Sequence, residues 1–193
     1  MNIGSRRAAP TTSRFNVLSL LRRSRYRIAQ GIDALVPRVP ADRDEILAAI
    51  LSAEQRRAFL DLSTVDQAHL LRVFRAVKKA DTAASSDLLV AALLHDIGKV
   101  SPEGRVRLIH RVLRVALAKV APSTWVRLSA LPARGWRTGF VLAEHHPCLG
   151  AQIAARLGCS ERTCWLIEHH GTRTFPVDDQ ELRQLVHADY HAR

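Results

Sequence analysis

Apolar positions recur at helical spacing through most of this chain, and no two-residue alternation of useful length interrupts them. Asp42 with Glu45 reads as a capping box opening a short helix to about Leu51, and Ser52 with Gln55 repeats the device. Ser63 or Thr64 then caps a longer helix to about Ala80, with Val65, Leu70, Val73, Phe74 and Val77 as its apolar face and His69 beside it. Ser86 is the expected cap of the next helix, which carries the run Leu88 to Leu94, ends in His95-Asp96 and is broken at Gly98. Pro102-Glu103-Gly104 makes a loop at the pocket mouth. Residues 105–119 predict a cationic amphipathic helix, with Val106, Leu108, Ile109, Val112, Leu113 and Leu117 set against Arg107, Arg111 and Arg114. Residues 122–137 read as irregular or briefly helical. Helices follow near 139–145, 148–157 and 160–169, the last capped by Ser160, and a closing helix runs from about Asp179 to Tyr190. The fold class is all-α.

Composition narrows this further. The 193 residues set a prior of one or two domains, and 47% hydrophobic residues supply a real core. Aromatics are only 5%, while Ala, Leu, Val and Arg dominate, which favours helix-on-helix packing. Cys148, Cys159 and Cys164 are odd in number and lack metal-type spacing, so they are expected to be reduced and mostly buried. Phe15 to Leu21 is too brief and polar for an export signal, and nothing reaches transmembrane length, so the expected compartment is cytoplasmic.

The net charge of +11 is unevenly spread. Residues 1–40 hold eight Arg against one Asp, and residues 99–137 hold nine Lys or Arg against one Glu. The two remaining blocks are slightly acidic. Residues 1–40 are therefore read as an Arg-rich N-terminal extension, partly disordered or helical, ahead of a domain over 41–193. Its Arg22 to Arg27 stretch suits weak contact with an anionic membrane surface or nucleic acid, or simply a solubilising tail. Basic charge alone does not define a nucleic-acid-binding protein, and no recognised binding motif accompanies it.

The candidate chemistry lies at His95-Asp96-Ile97-Gly98-Lys99. An adjacent His-Asp pair at the end of a buried helix puts an imidazole nitrogen and a carboxylate into one pocket. The carboxylate has two oxygens and is able to bridge two metal ions. Burying an ionised Asp without a cation or donor partner is costly, which favours ligation. Further candidate ligands are His69, His145-His146, His169-His170 and Asp189. His, carboxylate and water suit iron, manganese or zinc. His169 and His170 diverge by about 100° on a regular helix, so both ligate only if the helix ends there, which Gly171 makes plausible. Lys99 would meet a phosphate held over the metals; alternatively it satisfies the last carbonyls of its helix. His110, His187 and His191 have no motif support and read as surface or packing residues.

This ordered series resembles the HD-domain metal-dependent phosphohydrolases over roughly residues 60–190. The resemblance implies an HD-domain helical bundle with His69, His95, Asp96 and Asp189 as metal ligands. His146, in His-Pro-Cys-Leu-Gly-Ala, and His169-His170 stand for the added histidines of binuclear members. His145 is then solvent-facing or outside the coordination shell. The string and the His-His doublet are also similar to the HD-GYP cyclic-dinucleotide phosphodiesterases. Here, however, Gly171-Thr-Arg-Thr-Phe-Pro176 replaces their Gly-Tyr-Pro signature, and the Asp96–His146 interval is longer, as a basic helical insertion at about 101–137. The implied activity is hydrolysis of a phosphomonoester or phosphodiester, with a nucleotide as the expected substrate, Asp96 and Lys99 as catalytic residues and Lys99 and Arg105 binding substrate. Two divalent ions are implied, iron or manganese ahead of zinc, magnesium or nickel. The same superfamily includes di-iron oxygenases with a similar ligand order, and a non-catalytic nucleotide-binding sensor or scaffold is the other alternative.

Overall fold

The computed structural model describes residues 39–171 and 178–192. The Arg-rich stretch before Val39 and the segment 172–177 lie outside the described residues. Among the described residues there are nine α-helices: α1 (Arg43–Ile50), α2 (Ala53–Leu60), α3 (Thr64–Ala80), α4 (Ser86–Leu94), α5 (Leu108–Val120), α6 (Pro122–Ser129), α7 (Thr138–Arg156), α8 (Glu161–His169) and α9 (Gln180–His191). The chain is all-α, apart from a minimal antiparallel hairpin that pairs Val100 with Arg105 and Ser101 with Gly104. That hairpin, absent from the sequence expectation, is the form taken by the Pro102-Glu103-Gly104 turn.

Helix starts follow local chemistry. Ser52 and Gln55 make the expected reciprocal box, at 3.3 and 3.0 Å. Ser63, Ser160 and Asp179 each accept the amide three residues on, supplying a partner to a first-turn N–H that has none within the helix. Two expected caps are corrected. Asp42 makes no cap bond, because its carboxylate pairs with Arg75 of α3 instead. Ser85, not Ser86, caps α4, accepting Leu88 N–H at 3.1 Å. The cationic helix expected at 105 starts only at Leu108, since the hairpin takes up Arg105.

The larger correction concerns Pro147. It was expected to separate two helices at 139–145 and 148–157, yet α7 runs unbroken through it. A helix-interior proline costs about 3 kcal/mol in isolation, and here tertiary packing on both sides of α7 offsets it. Its N-terminal half supplies Phe140, Leu142 and Ala143 to a small cluster with Val106 and Trp125. Its C-terminal half supplies Ala151 and Ala154 to the main core, where Leu70, Leu71, Leu93, Leu94, Leu166, Ile167, Leu182 and Leu185 are fully buried. Cysteine burial was also overestimated: Cys148 is exposed, and Cys159 and Cys164 are half-buried on the rim of that core.

Gly98 decides how α4 and α7 meet. A Cβ there would lie 2.2 Å from the His146 carbonyl oxygen and 2.7 Å from Gly150 N. Only a glycine lets the turn after His95-Asp96 rest directly on the α7 backbone. That contact brings His146 beside Asp96.

Candidate metal centre

His95 is the residue at which α4 ends, and Asp96 begins the 3-10 turn Ile97–Lys99. Their side chains are buried, and α3, α7, α8 and α9 converge on them. Asp96 is the hub. Its Oδ2 faces His69 Nε2 at 3.9 Å and His95 Nε2 at 3.8 Å, while its Oδ1 faces His146 Nε2 at 3.5 Å and His170 Nε2 at 3.9 Å. Asp189 of α9 completes the first side, with Oδ1 at 3.0 Å from His69 Nε2 and 3.9 Å from His95 Nε2. The two carboxylate oxygens of Asp96 thus look at two different pairs of imidazoles.

The imidazoles are oriented by a shared device. His95 Nδ1 donates to Ala92 O at 3.2 Å, His146 Nδ1 to Ala143 O at 3.2 Å, and His170 Nδ1 to Ile167 O at 2.6 Å. Carbonyls can only accept, so each Nδ1 carries the proton and each Nε2 lone pair points into the pocket. Those carbonyls are available for a local reason. α4 and α8 end just beyond Ala92 and Ile167, leaving last-turn carbonyls without helical partners. In α7 the amide that would have bonded Ala143 O belongs to residue 147, and proline has none. Pro147 thereby fixes the ring of the histidine before it.

The electrostatics match. Burial pushes His95 down to about 4, burial outweighs the Asp96 charge at His146, and burial also lowers His170. These three rings are neutral near pH 7. Burial alone would raise Asp96, but the Lys99 ammonium holds it well below the usual carboxylate range. Neutral imidazoles around an ionised carboxylate are the protonation states that metal ligation requires. His95 Nε2 is in addition buried without any hydrogen-bond partner, which is costly unless a cation takes up its lone pair. His69, His95 and Asp189, and again His95, Asp96 and His170, place donor atoms within 4.8 Å of one another, close enough to hold a metal ion. An all-nitrogen-and-oxygen donor set of this kind suits a divalent transition metal.

His169 is not brought to the cluster. Its ring stacks on Trp165, with centroids 4.5 Å apart, and its Nδ1 bonds Trp165 O at 2.8 Å. α8 ends too late to turn both members of the doublet inward. His145 also points elsewhere, with Nε2 3.1 Å from Ser129 O. His110 is a packing residue, edge-on to Phe140 at 4.8 Å and pressed against Gly139. Arg105 is exposed on the hairpin. A cavity of about 610 Å³ opens between the C-terminal end of α3 and the length of α9, but none of the candidate ligands lines it.

Lys99 donates to Asp96 Oδ2, and its Nζ lies 3.7 Å from Asp66 Oδ1. Asp66 is the residue that the sequence reading missed. It is buried in the first turn of α3, where Ser63 Oγ donates to it at 2.5 Å and Arg111 of α5 reaches its Oδ1 at 2.5 Å. The only local signal was the Ser63–Asp66 spacing, which reads as ordinary helix capping. Its link to Lys99 and Arg111 exists only in three dimensions.

A model of the HD domain family matches residues 67–193. Neither the curated proteins nor the solved structures contain a significant match. The matched span covers more than half of the sequence and holds His69, His95, Asp96 and Asp189. By that match the chain belongs to the HD domain family, whose members are generally metal-dependent hydrolases.

Proposed function

We propose that this protein is a metal-dependent phosphoric ester hydrolase that cleaves a phosphomonoester or phosphodiester, with a nucleotide as the substrate class. The carrying observation is the two-sided environment of Asp96, with His69, His95 and Asp189 toward one oxygen and His146 and His170 toward the other. In this reading those two groups, with Asp96 shared between them, would hold divalent cations, iron or manganese before zinc, magnesium or nickel. When bound, the cations supply Lewis acidity toward a phosphoryl oxygen and acidify water at the site. The domain begins near residue 41, with residues 101–137 as a basic insertion.

The protein's own groups then do three things. The Nδ1 bonds to Ala92, Ala143 and Ile167 keep the ligand rings from rotating, so no reorganisation is needed during reaction. Lys99 and Arg111, gathered on Asp66 beside the centre, form a cationic wall against which phosphate oxygens accept hydrogen bonds. Arg105 on the hairpin extends that wall toward solvent. The packed helices keep bulk water away from Asp96, so these charges act at low dielectric. The net reaction is P–O cleavage by water, giving an alcohol and a phosphate or phosphomonoester.

The test is elemental analysis of protein purified without oxygen, followed by a phosphate-release screen over nucleotides with manganese present. Bound metal and phosphate release support the reading. Substrate-dependent oxygen uptake without phosphate release would replace it with an oxygenase, and tight nucleotide binding without turnover would replace it with a sensor.

A further inference from the structure

α5 breaks the rule by which a surface helix turns its apolar side inward. None of its thirteen residues is buried. Leu113 and Leu117 lean on the small Trp125–Phe140 cluster, but Leu108, Ile109, Val112, Val115 and Val120 are all more than half exposed. At about 100° per residue these five share one outward arc, with only Ala116 and Lys119 between them. Of the ten exposed large hydrophobic residues among the described ones, eight lie between residues 108 and 136. Val126 of α6 and Trp136, 73% exposed, belong to this set. Such a concentration marks an interaction surface.

Charge selects the occupant. From residue 104 to 137 there are eight Lys or Arg and no acidic residue. Arg111 is held by Asp66, Arg114 lies 3.4 Å from Glu144, and Arg137 donates to main-chain carbonyls of residues 128 and 130. Arg105, Arg107, Lys119, Arg127 and Arg134 have no carboxylate partner among the described residues. A second copy would set cations against cations, and the chain's own residues 1–38, with eight Arg and one Asp, would do the same. Branched aliphatic side chains neither stack on bases nor pair with them, which disfavours a nucleic acid. Peptides dock in grooves, and this surface is the outside of a helix. An apolar arc that includes Lys119, in a segment that also carries four further cations without a carboxylate partner and an exposed Trp, matches the interfacial zone of an anionic bilayer.

We propose that the outward face of α5, with Val126 and Trp136, docks the protein on an anionic phospholipid surface, α5 lying in the interfacial plane. This does not depend on the metal centre or its chemistry. No helix among the described residues is long and apolar enough to cross a membrane, so attachment is peripheral.

The experiment is co-sedimentation of the full chain with vesicles of phosphatidylglycerol and phosphatidylcholine in equal parts, and with phosphatidylcholine alone. The full chain is expected to bind the anionic vesicles, and the double variant Val112→Glu, Val115→Glu should bind them about tenfold more weakly while keeping its melting transition. A second measurement stands independently of that variant's folding: lipids brominated on their chains should quench a tryptophan signal that Trp136→Phe removes. Unchanged vesicle binding in the double variant would assign attachment to the Arg-rich segment and overturn the proposal. So would equal binding to neutral vesicles, or unquenched Trp136. A dimer, or an RNA complex, that Val115→Glu disperses in the absence of any vesicle binding would assign the face to that partner instead.

Discussion

The metal pocket and the α5–α6 region break the same rule in opposite directions. In the pocket, ionisable groups are buried among fully buried leucines; around α5, aliphatic side chains stand in water. The buried groups are tolerated because each has an assigned partner: a freed carbonyl for each Nδ1 of His95, His146 and His170, and Lys99 for Asp96. The exposed valines have no such compensation among the described residues, and a partner is what would supply one. Departures from inside–outside sorting concentrate where proteins do things, and the type of departure differs here: the first region suits the proposed metal chemistry, the second the proposed docking.

The contrast is broken most severely at Asp96. Asp96→Ala or His95→Ala should abolish metal binding and activity together, because Asp96 is the carboxylate common to both sides and His95 is its neighbour in the same pocket. Full metal occupancy in both variants, by elemental analysis, would remove the pocket from the comparison. Next comes the core that supports it. Leu93, wholly buried, should cost about 2–5 kcal/mol on truncation to Ala, read as a shift of the urea midpoint. A cost as small as that of a surface residue would mean that the main core is loose.

Lys99→Ala should keep the metals and lose turnover by about one to two decades, the worth of one charge-assisted phosphate contact of about 1.5–3 kcal/mol. Unchanged turnover, once a substrate is found, would return Lys99 to a purely electrostatic partnership with Asp96 and Asp66. Pro147→Ala sharpens the argument about carbonyls. The restored amide should compete for Ala143 O, releasing the His146 ring, so metal affinity is expected to fall by about 10–100-fold while the helix itself becomes no less stable. Unaltered affinity by metal titration would mean that the ring is held by packing alone. The smallest effects belong to Val112→Ala and His169→Ala. Both should leave the midpoint within about 0.5 kcal/mol and metal content intact; a loss of metal in His169→Ala would return that residue to the ligand set.

Much of this was legible from local chemistry. Ser52, Ser63, Ser160 and Asp179 cap helices where their spacing places them, because a cap satisfies amides only three residues away. The series His69, His95, Asp96, His146 and Asp189 was readable for a similar reason: residue identity and order are properties of the chain, and the structure gathers the other four side chains at the Asp96 pocket. What depended on contacts between distant segments was not. Ser85 over Ser86, Asp42 drawn off to Arg75, and α7 continuing through Pro147 were each settled by what packs against the element. Which member of the His169-His170 doublet faces inward follows from where α8 stops and how it rotates against α4, and a shift of one residue turns a side chain by about 100°. The same holds for α5. Its amphipathic character was plain in the sequence, but the expected face included Leu113 and Leu117, which turn inward, and not Val115 and Val120, which stand outward; periodicity records only that one side is apolar. Whether that side meets the core or the solvent was decided by the tertiary structure, because burial is a property of neighbours and not of the segment itself.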